Sequence, residues 1–332
     1  MLNKLELKVS ILSPSYFGMV MATGTTVIAM HLLGIRYLPL IFTFLNFFVY
    51  LVLVVMNFIR ILKFWPNMKA DLRSADRGPG FFTFVAGTDV LGDQAVLILH
   101  NPFLGYVLWF IGFVSWVILQ YPLVFLLLIG EGNVSANWLL IPVSTMTVSV
   151  LSADLGKFND SLVYVSLISY FMGWAVYFLF TFLLGVRLFL HKVTEEDLIP
   201  SLWINGGFPA LASLSSSLLL LNFGNSLGSL TGVLLGTSLL IWSYGTWWIP
   251  ILFLAFLWKH LVRRVSLLRY DFQFWSAVFP VAVYGVGTYF LAKVSRIPGI
   301  LLISHIFFFI TLVLWIYQMG GFLYNLVEVL RS

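Results

Sequence analysis

The sequence contains no cysteine, which excludes a disulfide framework, a thiolate zinc site and a cysteine nucleophile. Charge is scarce too: Asp, Glu, Lys and Arg make up 9% of the 332 residues, against about 25% in ordinary soluble domains. So little charge does not cover a water-facing surface. The net charge of +5 is too small, and too confined to short loops, for the broad basic face that binds nucleic acid. No Gly-Lys-Ser/Thr phosphate cradle occurs, so ATP-driven transport by this chain alone has no support. His31, His100, His191, His260 and His305 are scattered without an HxxxH or HExxH arrangement, so neither a metal nor a cofactor is expected. No His/Asp/Ser or metal constellation suits an intramembrane enzyme. Met1 to Ser13 shows no signal-peptide cleavage pattern, and nothing is expected to be cleaved off.

Apolar residues are abundant instead: 61% of the chain is hydrophobic and 17% aromatic. Cutting the chain at charges, Gly/Pro clusters and polar runs leaves ten apolar segments, near 15 to 33, 38 to 62, 81 to 99, 103 to 128, 138 to 154, 161 to 190, 203 to 221, 226 to 258, 271 to 294 and 300 to 329. Each is about long enough to cross a ~30 Å hydrocarbon layer as a helix. The runs are continuous, not alternating, and a lipid-exposed backbone must satisfy its own hydrogen bonds, so the expected class is an all-α integral membrane protein, one domain over 1–332.

Ten spans put both termini on one face. That face holds Lys4, Lys8, Arg60, Lys63, Lys69, Arg73, Arg77, Arg187, Lys192, Lys259, Arg263, Arg264, Arg269 and Arg331, while the other holds only Arg36, Lys157, Lys293 and Arg296. This asymmetry places both termini in the cytoplasm. Trp65, Trp138, Trp203, Trp247 and Trp248 lie near segment ends, where the membrane interface accounts for them.

The segments are of two kinds. Odd ones are polar and broken: Thr23, Gly24, Thr25 and Thr26 in the first; Gly87, Thr88, Asp89, Gly92, Asp93 and Gln94 in the third; Pro142, Ser144, Thr145 and Thr147 in the fifth; Pro209 and Ser213 to Ser217 in the seventh; Pro280, Gly285 and Gly287 in the ninth. Even ones are mostly apolar and aromatic, although Pro122 and Pro250 make the separation incomplete. Proline and glycine in a membrane helix free backbone groups that only protein or water can satisfy, so the odd helices are expected to face inward. Each odd helix and its successor make a hairpin, and five such hairpins related by rotation about the membrane normal give a pseudo-fivefold bundle around a central pore. The same pattern also fits an ordinary bundle in which small residues allow close packing.

Several strings carry a resemblance: Pro14, Ser15, Tyr16, Phe17 with Met21, Ala22, Thr23, Gly24; Val85, Ala86, Gly87, Thr88 with Leu91, Gly92 and Gln94; Trp247, Trp248, Ile249, Pro250 followed by Lys259 to Arg264; and Arg269, Tyr270, Asp271 leading through Trp275 to Phe279 and Pro280. In this order and spacing they resemble the tellurite-resistance/dicarboxylate transporter family, which includes bacterial TehA, yeast malate and sulfite carriers and plant slow anion channels. The resemblance implies five hairpins, an inner ring of proline-kinked odd helices, a homotrimer with one pore per subunit in the cell membrane, and permeation of small inorganic or organic anions. It also implies a phenylalanine plug before the ninth segment's proline, a position held here by Phe279 and Pro280.

Gly24, Gly87, Pro142, Pro209 and Gly285 are the candidate pore-lining or kinking positions. No Lys or Arg lies mid-segment in an odd helix, so coordination of an anion falls to freed N–H groups, half-helix ends and Ser/Thr hydroxyls. Lys259, Arg263, Arg264 and Arg269 form a basic cytoplasmic mouth that concentrates anions or serves only as topology anchors. Asp89 and Asp93 share a helix face, where an ionised carboxylate costs about 2.5–3.5 kcal/mol. They are read as protonated, as hydrogen-bonded to hydroxyls or to Gln94, or as exposed to water. Their role is then either to carry a proton with the anion or to fix the third helix. Two functions follow: a passive anion channel gated by Phe279, or a proton-coupled carrier of a C4-dicarboxylate or sulfite.

Overall fold

A chain with so few charges and so many long apolar runs buries its backbone polar groups in helices. The computed structural model describes residues 4–130, 134–190, 194, 197–264 and 270–331, and the described residues contain no β-strand. The twelve α-helices are α1 (Lys4–Ser10), α2 (Phe17–Leu32), α3 (Leu38–Lys63), α4 (Trp65–Arg73), α5 (Phe82–Leu97), α6 (Pro102–Ile129), α7 (Leu140–Gly156), α8 (Leu162–Leu190), α9 (Ile204–Phe223), α10 (Leu230–Leu257), α11 (Trp275–Ser295) and α12 (Ile300–Arg331). All but the short α1 and α4 coincide with the ten apolar segments to within a few residues.

Eight stretches among the described residues are long and apolar enough to cross a membrane: Leu38–Lys63, Pro102–Ile129, Ala136–Gly156, Leu162–Leu190, Pro200–Phe223, Leu230–Val262, Phe272–Ser295 and Ile300–Glu328. The two remaining long helices, α2 and α5, have 16 residues each and carry the Thr23 to Thr26 run and Asp89, Asp93 and Gln94. Their polarity is affordable because they are enclosed by protein.

The division between odd and even segments appears directly as burial. α7 is buried along its whole length, α2, α5 and α9 nearly so, and α11 over two thirds of its residues. By contrast α3 turns Phe44, Phe48, Leu51, Val55 and Phe58 outward, and α6 turns Phe103, Phe110, Ile118, Tyr121 and Phe125 outward, as lipid-facing helices do. The buried helices pack in sequence: α2 on α5, α5 on α7, α7 on α9 and α9 on α11, with α11 returning to α2.

Each of these five helices is entered through a 3-10 turn, namely Pro14–Tyr16, Gly78–Phe81, Ala136–Leu139, Pro200–Trp203 and Phe272–Phe274. Consecutive 3-10 turns touch one another, so all five inner helices start at one end of the molecule and run parallel. Short loops at the other end lead back into the outer helices. Gly34, Gly228 and Gly299 supply positive φ there (80°, 54° and 88°), the left-handed conformation that lacks a Cβ penalty.

Candidate functional site

Hydrogen bonds across the helix layers repeat around the molecule. Each outer helix pins the inner helix that follows it with an aromatic polar group: Tyr50 of α3 meets Thr88 of α5 at 2.9 Å, Trp116 of α6 donates to Thr145 of α7 at 3.0 Å, Tyr177 of α8 donates to the Asn205 carbonyl of α9 at 3.4 Å, and Trp242 of α10 donates to Thr288 of α11 at 2.8 Å. Trp315 of α12, at the far end of the sequence, donates to Thr23 of α2 at 3.1 Å. Other hydroxyls bond within the inner helices or across their seams. Thr25 and Thr26 donate to carbonyls one turn back, and Ser149 joins Ser166 and Ser215. Most Ser and Thr hydroxyls expected to meet an anion are therefore engaged in holding helices together. Ser217 Oγ, on α9, is buried with no partner.

The glycines explain how closely the helices approach. A Cβ on Gly24 would fall 2.5 Å from Val90 of α5, one on Gly87 3.3 Å from the Phe17 carbonyl of α2, and one on Gly285 2.8 Å from the Phe308 ring of α12. Pro209 and Pro280 each occupy the sixth residue of their helices, where a proline removes one internal donor. Each packs on a neighbouring glycine: Pro209 on Gly245 of α10, Pro280 on Gly207 of α9. Pro142 lies instead in the first turn of α7, where the missing N–H would have no helical partner in any case.

Phe279 is 3% exposed and sits immediately before Pro280. The equivalent step in α9 is also Phe-Pro, at Phe208 and Pro209, a repetition visible in the sequence itself. The two rings differ in their surroundings. Phe208 stacks on Tyr177, with centroids 4.1 Å apart and planes at 12°, and meets Trp174 edge-on. Phe279 has no aromatic ring partner among the described residues and is buried in the main apolar cluster.

Asp89 and Asp93 are buried in α5, and of the partners considered for them, hydroxyls or Gln94, only a hydroxyl is met. Gln94 turns toward α3, where it donates to Thr43 at 3.0 Å and accepts from Asn46 at 2.9 Å. Asp89 accepts from the Thr147 hydroxyl at 2.8 Å, the hydroxyl alternative. Near Asp93 stands Asp154, at the end of α7, which the sequence reading did not single out. The signal available for it was an acid three residues before Lys157, at the close of an apolar run.

The basic residues lie at the end carrying the 3-10 turns. α10 continues there as a π-helical turn over Trp258–Val262. Lys259 and His260 line a small cleft with Trp203, Leu252, Phe256 and Phe274, and Lys259 Nζ donates to the Leu198 carbonyl at 2.7 Å. Arg263 lies over the Trp258 ring, 5.2 Å from its centroid, and Arg264 is exposed with φ of 54°. Arg269 lies outside the described residues. In the same region Asp197 pairs with Arg187 at 2.7 Å. Burial works to raise the Asp197 carboxyl, but the Thr194 N–H and hydroxyl and the Arg187 guanidinium outweigh it and hold the group below the ordinary carboxylate range.

Comparison with known proteins fits this architecture. The chain is similar to two uncharacterized transporters of Methanocaldococcus jannaschii, at 28% identity over 304 residues (84% of each chain) and 28% over 323 residues (89% of each chain). It is also similar to an uncharacterized membrane protein of Mycobacterium tuberculosis, at 33% identity over 145 residues, 43% of this chain and 73% of that one. The family model described as voltage-dependent anion channel, SLAC1, matches residues 12–323, and the chain belongs to that family of membrane transporters and channels.

Proposed function

We propose that this protein moves small anions through the axis of its ring of inner helices, and that Phe279 gates the path. The reading takes the molecule as ten membrane-crossing helices in five pseudo-fivefold hairpins, with both termini cytoplasmic in the cell membrane and three copies assembling as a homotrimer. The observation that carries it is the closed cycle of contacts among five parallel inner helices, each entered through its own 3-10 turn. Five equivalent helices around an axis enclose one path through the middle.

The chemistry of the ring suits a weakly held anion. The inner helices carry no Lys or Arg except Lys293 in the last turn of α11, so no fixed positive charge traps an ion midway, and loose coordination permits rapid release. Dehydration of a narrow apolar constriction then closes the path, with the Phe279 ring as its stopper. Lys259, Arg263 and Arg264 raise the anion concentration at the cytoplasmic end. A second reading, a proton-coupled carrier of a C4-dicarboxylate or sulfite, is favoured by one observation: Asp89 and Asp93 each have a buried oxygen without a hydrogen-bond partner.

Flux into liposomes separates the two readings. Chloride, nitrate, sulfite and malate are compared with and without a pH gradient, for wild type and Phe279→Ala. Leakage of small anions without proton coupling, faster in the variant, supports the gated channel. Movement of one organic or sulfur anion only with protons supports the carrier, and absence of anion movement in a folded wild type removes both.

A further inference from the structure

Acidic residues on an anion path would repel the ion they are meant to pass, yet α5 carries two. The surroundings of Asp89 resolve the conflict, because its carboxyl lies in the seam toward α6 and α7, and Asp93 follows one turn later on the same helix face. Asp89 is fully buried. Its Oδ2 accepts from Thr147 of α7, while its Oδ1 has no partner and lies against Gly112 of the outer helix α6. One turn later Asp93 is 7% exposed, and its Oδ1 is also without a partner.

The seam between α5, α6 and α7 continues past them, with Gly92 packed on Leu151 and Gly105 of α6 on Val96 and Leu155. At its end Asp154, 3% exposed, accepts from Lys157 on Oδ1 at 2.9 Å and leaves Oδ2 unpartnered. The Lys157 side chain is 33% exposed, at the end of the ring opposite the 3-10 turns. Asp89, Asp154 and Lys157 all act electrostatically on Asp93. The other titratable groups packed here are Tyr50 of α3, bonded to Thr88, and Tyr106 of α6, bonded to the Leu155 carbonyl.

Three buried carboxyl groups thus line the seam, each with an orphaned oxygen, while one cation, Lys157, stands at its end, paired to Asp154. Ionised, that set leaves negative charge uncompensated where it is most costly. A proton removes the charge, needs no cavity, and turns the orphaned oxygen into a donor. We propose that Asp89, Asp93 and Asp154 form a proton-binding seam between α5, α6 and α7 that opens beside Lys157, so that protons are taken up by a route separate from the anion path. A proton passes from water to Asp154, then to Asp93 and Asp89. Only O–H bonds form and break, and no redox partner is needed. The separation of routes rests on the reading of the ring axis as the anion path.

The test is infrared difference spectroscopy of the protein in liposomes across a pH step, with the Asp89→Asn, Asp93→Asn and Asp154→Asn variants. The expected result is a protonated-carboxyl band in the wild type at neutral pH that loses intensity in Asp89→Asn and Asp93→Asn, and proton exchange that slows in Asp154→Asn. Absence of any such band in the wild type overturns the seam without reliance on a variant. Anion selectivity at one fixed pH is read in the same liposomes. An altered anion order in Asp89→Asn or Asp93→Asn would place the acids on the anion route and overturn the separation. If the wild type moves no anion at all, the anion-transport reading fails while the carboxyl band still decides whether the seam holds protons.

Discussion

Replacing Phe279 with Ala tests the gate most directly, because the structure supplies its own control. Burying a phenyl ring is worth about 1.5–3 kcal/mol, and about 1.4 kcal/mol corresponds to a tenfold change in an equilibrium. If the Phe279 ring stabilises the closed path by that amount, its removal shifts the balance toward the wetted path by about 10- to 140-fold. Anion efflux from liposomes, normalised to folded protein, should rise accordingly. The same truncation in a packed core costs about 3–5 kcal/mol of stability, so a general loosening of the bundle could imitate gating. Phe208→Ala separates the two. Phe208 occupies the same position before the same residue type on the neighbouring helix, and its ring is clamped on Tyr177 at 4.1 Å. It should therefore lower the melting temperature at least as much while leaving flux near the wild-type value. Equal flux increases in both variants, or unchanged flux in a folded Phe279→Ala protein, would refute the assignment of the gate to Phe279.

Other residues give sharper local tests. Gly207→Ala places a Cβ 2.5–2.6 Å from Pro280, an overpacking that costs about 1–3 kcal/mol and displaces the segment holding Phe279. Both melting temperature and flux should change, and a neutral variant would show that α9 and α11 slide freely there. Asp71→Ala strands the fully buried Arg60, whose Nη2 pairs with Asp71 at 2.6 Å. Removing one partner of such a pair costs about 3–5 kcal/mol, read as a large drop in thermal stability in detergent. Asp197 titrates below its ordinary range in the folded chain, so its contribution to stability is present above the unfolded-state value and is lost as pH falls through the folded-state value. Asp197→Asn should flatten the acid limb of the melting curve, and an unchanged limb would show that the Arg187 pair contributes nothing there.

Much of the fold was legible because membrane crossing imposes a coarse constraint. Long apolar runs register as helices whatever their neighbours, and every expected segment became a long helix. The inward placement of the odd helices was also readable, since Asp89, Asp93 and the Ser and Thr runs tolerate burial only where protein surrounds them. Local sequence concealed what each polar group bonds to. Gln94 follows Asp93 directly yet turns to Thr43 and Asn46 on α3, because adjacent residues on a helix point about 100° apart. The pairing of Trp315 with Thr23 joins residues separated by nearly the whole chain, and no local pattern encodes it. The 3-10 turns were invisible for a different reason: the same Pro and Gly residues read equally well as loop.

The hydroxyls bear most directly on how the ring would handle an anion. On composition alone, Thr88, Thr145 and Thr288 look like ligands for a passing ion. In the folded chain each meets an aromatic group from an outer helix, Tyr50, Trp116 and Trp242 respectively. A hydrogen bond of this kind inside a membrane protein contributes about 0.6–2 kcal/mol, so these residues act as fasteners between layers. On the proposed anion path these three hydroxyls are not free to coordinate, so discrimination among anions would fall to the ease of removing their water. Replacing Thr88, Thr145 and Thr288 together with Val should therefore lower the melting temperature markedly and leave the order of anion permeabilities intact, with weakly hydrated anions ahead of strongly hydrated ones. A reversal of that order, in a variant whose far-ultraviolet spectrum remains helical, would mean that the hydroxyls coordinate the ion after all and that the fasteners release during transport.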